Sequence, residues 1–172
     1  MATVKFHDAI SEPWVSMNAV RVGKLPAGLG TPDRYVTVDS GERRFRIDIY
    51  VPDYERCAPF EEALIWGTSV VIGLGHYIFL VPLDTGDPKT IDVGSYFGQL
   101  HLKDDVLLVA SESRLFRVAR SGELIWTTRE LGTDGVTVDR IQDGIVCGQG
   151  EWDPPDGWKP FSVSLDSGEI VS

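Results

Sequence analysis

The stretch Leu107-Leu108-Val109-Ala110-Ser111-Glu112-Ser113-Arg114-Leu115-Phe116-Arg117-Val118-Ala119-Arg120-Ser121-Gly122-Glu123-Leu124-Ile125-Trp126 holds three apolar runs and one sharp turn. The runs are four residues long or less and rich in branched and aromatic side chains, the mark of short strands. Arg120-Ser121-Gly122-Glu123 supplies a side-chain acceptor for backbone N–H groups and then a residue free to take positive φ. Strands on either side of such a turn can pair antiparallel.

The same turn recurs. Asp39-Ser40-Gly41-Glu42, Asp84-Thr85-Gly86-Asp87 and Asp166-Ser167-Gly168-Glu169 read like it, with the glycines 45, 36 and 46 residues apart. The segments before the last three turns align without gaps: Phe79, Leu115 and Phe161 correspond, then Leu83, Ala119 and Leu165. Upstream of each lies a further apolar run, Val70-Val71-Ile72, Val106-Leu107-Leu108-Val109 and Ile145-Val146-Cys147. A unit of strand, strand, turn, strand follows, with third strands at Leu124-Ile125-Trp126 and Ile170-Val171. The expected units run near 23–64, 65–101, 102–140 and 141–172 within one domain, 1–172.

Repeats of this length, each with several short strands and an aspartate-turn-Gly-Glu before an apolar strand with Trp, resemble the β-propeller repeats of the quinoprotein (PQQ-like) and WD40-like superfamilies. The likeness covers roughly Tyr35 to Val171. It implies an all-β fold of repeated antiparallel units in a small propeller-like architecture. Because hairpins elsewhere use the same turn chemistry, a β-sandwich or partly open barrel stays open as the alternative. No residues match a quinone-cofactor constellation, so the resemblance carries no cofactor, and none is expected. The last unit lacks room for an outer strand, and Trp14-Val15-Ser16-Met17-Asn18-Ala19-Val20-Arg21-Val22 is the expected closing strand. Residues 43–51 alternate, with Phe45, Ile47 and Ile49 on one face and Arg44, Arg46 and Asp48 on the other. Residues 59–66 read as one short helix, with Pro59 in its first turn, Glu61 and Glu62 following, and Gly67 as the stop.

The chain of 172 residues carries 16 Lys+Arg against 26 Asp+Glu, a net charge of −10. Nine of those acids lie in residues 130–172, where Arg140 and Lys159 are the bases. Such a balance opposes nucleic-acid binding, which needs Lys and Arg to displace phosphate counterions, and it disfavours anionic membranes. It attracts a basic partner, and it also aids solubility. Residues 63–83 lack Asp, Glu, Lys and Arg, but Gly67, Gly73, Gly75 and Pro82 break them. They read as buried strands joined by Leu74-Gly75-His76 rather than as a membrane helix. Cys57 and Cys147 are far apart in sequence and form no redox or metal pair, so a reducing, cytoplasmic setting is expected.

Catalytic signatures are thin. His7, His76 and His101 are not in metal-ligand spacing, and no nucleophile elbow, phosphate loop or dinucleotide fingerprint occurs. Arg114, Arg117 and Arg120 fit a solvated face paired with acids. What stands out is Glu151-Trp152-Asp153-Pro154-Pro155-Asp156-Gly157-Trp158-Lys159-Pro160, which lengthens the last unit by about seven residues. Insertions on regular scaffolds often carry function, and Trp gives large contact area at low entropy cost. The expected site is Glu151, Trp152, Asp153, Asp156 and Trp158, engaging a protein partner, with neither a metal nor a catalytic residue. The expected function is a non-catalytic interaction protein, of which toxin-neutralising immunity proteins are one kind. A structural or oligomerisation module is the alternative, and a carbohydrate-active hydrolase using Glu151, Asp153 or Asp156 ranks below it.

Overall fold

The computed structural model describes residues 2–52, 55, 60–84, 86–153 and 157–171. Fifteen strands and no α-helix occur among them, so the protein is all-β. No helix among the described residues is long and apolar enough to cross a membrane. The chain divides into two compact units, Met1–Asp92 and Val93–Ser172, each with two sheets.

In the first unit, β1 (Thr3–His7), β2 (Ala19–Gly23), β3 (Arg34–Asp39) and β4 (Arg44–Tyr50) form a sheet in the order β1-β3-β4-β2. The β3–β4 turn behaves as its sequence dictates: the Gly41 N–H donates to Asp39 Oδ1 at 2.8 Å, with Gly41 at φ 82°. That backbone bond, aided by Arg44, holds the Asp39 carboxyl below its usual range. The alternation in β4 is also realised, with Ile47 and Ile49 fully buried beside Val36 and Val38 of β3. The opposite face is less solvated than its charges imply. Asp48 is 3% exposed and paired with Arg46, Nε to Oδ1 at 2.7 Å and Nη2 to Oδ2 at 2.9 Å. Arg46 also donates to the carbonyl of Val15 at 3.0 Å, tying the N-terminal turn across the strand.

The closing strand is placed differently from the sequence expectation. Residues 19–23 pair parallel with β4, from Ala19 opposite Arg46 to Gly23 opposite Tyr50, and complete the first sheet rather than the last unit. Val22 buries against the same core as Ile47 and Ile49, so the hydrophobic match is local to this unit. Residues 14–16, assigned to the same strand, belong instead to a turn over residues 12–16.

The second sheet is a meander of β5 (Glu61–Trp66), β6 (Ser69–Leu74), β7 (Tyr77–Pro82) and β8 (Lys89–Asp92). Its β6–β7 hairpin turns at Gly75-His76, as the sequence indicated. The helix expected over residues 59–66 is instead β5, paired with β6 from Glu61 opposite Leu74 to Trp66 opposite Ser69, while Pro59 lies outside the described residues. So short a helix has little stability of its own, and pairing with a buried strand outweighs the helix propensity of Glu-Glu-Ala-Leu. Glu55 is buried near this hairpin, where it accepts the Tyr77 hydroxyl at 2.7 Å and pairs with Lys24. The Lys24 ammonium, then the Tyr77 hydroxyl, hold its carboxyl below the usual glutamate range.

The second unit holds two further meanders. One is β9 (Phe97–Lys103), β10 (Val106–Ser111), β11 (Leu115–Val118) and β12 (Leu124–Thr127). The other is β13 (Val136–Gln142), β14 (Ile145–Trp152) and β15 (Gly157–Ser164), followed by a single bridge between Val163 and Ile170. The repeat therefore has one more strand than its sequence revealed. Strands β5, β9 and β13 precede the apolar runs, so the sheets begin at Glu61, Phe97 and Val136, ahead of residues 65, 102 and 141.

The repeated turn and its tryptophan serve each other across these two sheets. Trp126 Nε1 and Arg117 Nη1 both donate to the Leu165 carbonyl at 2.8 Å, just before the last turn. The indole lies flat against Gly168 (φ 72°), where a Cβ would stand 2.8 Å from the ring. Side chains of Leu108, Leu115, Trp126, Val146 and Val163 then close one core.

Candidate functional site

The segment that lengthens the last unit is mostly strand. Glu151 pairs with Trp158 and Trp152 with Gly157, so β14 and β15 continue almost to the tip. Asp153 stands exposed beyond the pairing, its N–H donating to Thr133 Oγ1 at 3.0 Å. Asp156, the fifth expected site residue, lies outside the described residues, as do Pro154 and Pro155.

Strand alternation separates the two tryptophans. Residues paired across an antiparallel ladder share a face, and neighbours along a strand take opposite faces. Trp158 therefore shares a face with Glu151, whereas Trp152 points to the other side with Lys159 and Phe161. The expected site is thus two surfaces back to back.

The Trp158 face is acidic and aromatic. The ring is 46% exposed, and it and the Glu151 carboxylate lie over Gly135, 3.1 and 3.7 Å from where a Cβ would stand. The 132–135 segment is held to the hairpin by backbone bonds, Thr133 N–H to Glu151 C=O at 2.6 Å and Glu151 N–H to Gly135 C=O at 2.8 Å. Beside it, the Tyr96 hydroxyl donates to the Asp134 carbonyl at 2.8 Å and to Oδ1 at 3.1 Å. Burial, then Asp134, and the charges of Glu112 and Glu151 push the Tyr96 hydroxyl well above its ordinary value. This tyrosine stays protonated and acts as a hydrogen-bond donor.

The Trp152 face borders a cleft of about 850 Å³, within the size range of small-ligand and side-chain pockets. Leu131, Trp152 and Phe161 give it apolar walls, and Arg114, Arg129 and Lys159 bring positive charge. Its carboxylate is Glu130, already 3.5 Å from Arg114. Neither Glu151 nor Asp153 lines it, so these two of the expected hydrolytic carboxylates stand apart from the cleft, and Asp156 lies outside the described residues.

Two glycines let neighbouring segments close onto β14. Gly148 and Gly150 alternate on the Trp152 face of β14, where Phe161 packs on Gly148 and the Leu131 carbonyl on Gly150. Period-two glycines in a strand signal close approach on one face, and Gly148-x-Gly150 is the sequence feature that marks this one. Arg129 and Leu131 stand on no recognisable motif.

Cys147 lies on β14 but is half-buried rather than in the core, its Sγ 3.7 Å from Ser162 Oγ. Cys57 lies outside the described residues. No group of three His, Cys, Asp or Glu side chains among the described residues is arranged to hold a metal ion. No protein-family model matches the chain, and no curated protein is significantly similar to it.

Proposed function

We propose that this protein is a non-catalytic binding protein that engages a protein partner through the tip of the β14–β15 hairpin. The observation that carries this reading is Trp158. A tryptophan 46% exposed, braced by Glu151 and Gly135, is a preorganised anchor of the kind that dominates interfaces. The surrounding carboxylates Glu112, Asp134, Glu151 and Asp153 favour a basic partner surface, and an immunity-type inhibitor is one role that fits. The three meanders, β5–β8, β9–β12 and β13–β15, support reading those sheets as propeller-like blades, a scaffold that regularly carries function in its loops.

The test is quantitative capture from the source lysate with tagged wild-type and Trp158→Ala chains, followed by titration of the recovered partner. Loss of the ring should weaken binding by about 2 kcal/mol or more while the melting temperature holds. Equal affinity of the two chains would sink the assignment of the hairpin.

A second reading has its own observation. Strand β12 is the outer strand of its sheet and exposes Leu124 and Ile125 at 46% and 49%. An outer strand with two such side chains suits pairing with another chain, the oligomerisation module. Sedimentation as a monomer would remove it.

A further inference from the structure

The cleft on the Trp152 face continues past Arg129 and Ile170 into a second hollow of about 500 Å³ along residues 167–170. The two make a groove between the chain after β12 and the chain after β15. Arg129 stands where they meet, and no hydrogen bond or ion pair joins its guanidinium to a described residue. Lys159 and Arg114 add positive charge to the wider part, an exception in a chain of net charge −10. The apolar side chains lie beside these cations, with Ile170 and Val171 about 40% exposed.

We infer that this groove is a second binding site, which takes an extended peptide segment of a protein partner with an Asp or Glu side chain next to a large apolar one. The carboxylate sits on Arg129, whose planar fork matches it bidentately. The neighbouring apolar side chain enters between Trp152, Phe161 and Leu131. Charge complementarity selects this occupant over a basic segment. A monovalent carboxylate fits better than a phosphate dianion, because Glu130 and Glu169 flank the groove and repel the second charge. The peptide docks by side chains rather than by extending the sheet. Ser162 C=O and Ser164 N–H bond to residues 171 and 169, so even-numbered residues of β15 present their backbone to this outer edge. Pro160 falls there without an N–H to offer, which blunts strand addition.

This site is on the opposite face of the hairpin from Trp158 and stands independently of the reading above. The experiment is selection of a displayed random hexapeptide library on immobilised wild-type, Arg129→Ser and Trp158→Ala chains. A selected peptide is then synthesised in its acidic, amide and phosphoserine forms and titrated. Wild type and Trp158→Ala should both enrich Asp or Glu beside Phe, Leu, Ile or Trp. The acidic peptide should bind Arg129→Ser, and its amide form should bind wild type, about tenfold or more weakly. Because the Arg129 side chain is exposed, Arg129→Ser should keep the wild-type melting temperature. The inference is overturned by no enrichment, by enrichment of Lys and Arg, or by equal binding to Arg129→Ser. Tighter binding of the phosphoserine form would overturn the carboxylate, and self-association abolished by Arg129→Ser would make a second copy the occupant.

Discussion

Gly150→Ala should destabilise the second unit by about 3 kcal/mol or more, among the largest single effects in the molecule. A methyl group at Gly150 would stand 1.8 Å from the Leu131 carbonyl oxygen and 3.2 Å from the Gly132 nitrogen. Both are backbone atoms, so no rotamer change relieves the contact. The strand must move away from the 131–135 segment, which breaks the Glu151 bonds to Thr133 and Gly135 and opens the base of the hairpin. Gly28 and Gly30, which have nothing within 4 Å of their Cβ positions and no positive φ, should by contrast accept Ala at little cost, since proximity rather than glycine content sets it. Native-state hydrogen exchange is the suitable readout. Faster exchange should concentrate in β13, β14 and β15, and a Gly150→Ala chain exchanging like wild type would refute the packing account.

The second large effect is expected in the first unit. Arg46→Met should cost about 3–5 kcal/mol, because it leaves Asp48 as an uncompensated charge at 3% exposure. The same substitution removes the donor to the Val15 carbonyl, so the N-terminal turn loses its tie across β4. The double variant Arg46→Met/Asp48→Leu separates these contributions. If the unpaired charge dominates, the second change should restore most of the loss, since well-packed apolar replacements of buried ion pairs are often neutral. A double variant as unstable as the single one would place the cost in the lost turn contact.

The turns were the most legible feature of the sequence, because their chemistry is local. Gly41, Gly122 and Gly168 all adopt positive φ, at 82°, 83° and 72°, where a residue with a Cβ is strained. The apolar runs upstream of the last three turns became β6, β10 and β14; burial on both faces leaves a continuous hydrophobic trace in β6 and β10, while β14 alternates. Partners were harder to read. Strand β2 was visible in Ala19-Val20-Arg21-Val22, but nothing in those residues says which edge they pair with, and a parallel partner leaves no turn signal. Strand β5 looked helical because pairing with β6 is a long-range gain that local propensity does not encode.

The candidate site was legible in composition but not in geometry. The two tryptophans and the acids stand out in the sequence, but the ladder in which Glu151 faces Trp158 and Trp152 faces Gly157 does not, because the prolines and glycine of residues 154–157 interrupt the strand pattern. Strand parity then assigned one ring to an acidic surface and the other to a cationic cleft. The charge excess of residues 130–172 is therefore not uniform over the surface it covers.

A last hairpin that is the recognition element should show itself in hydrogen exchange of the chain with and without its captured partner. Protection on binding should centre on residues 149–160 and 131–135. Protection confined to residues 3–92, with the hairpin exchanging as in the free chain, would contradict it.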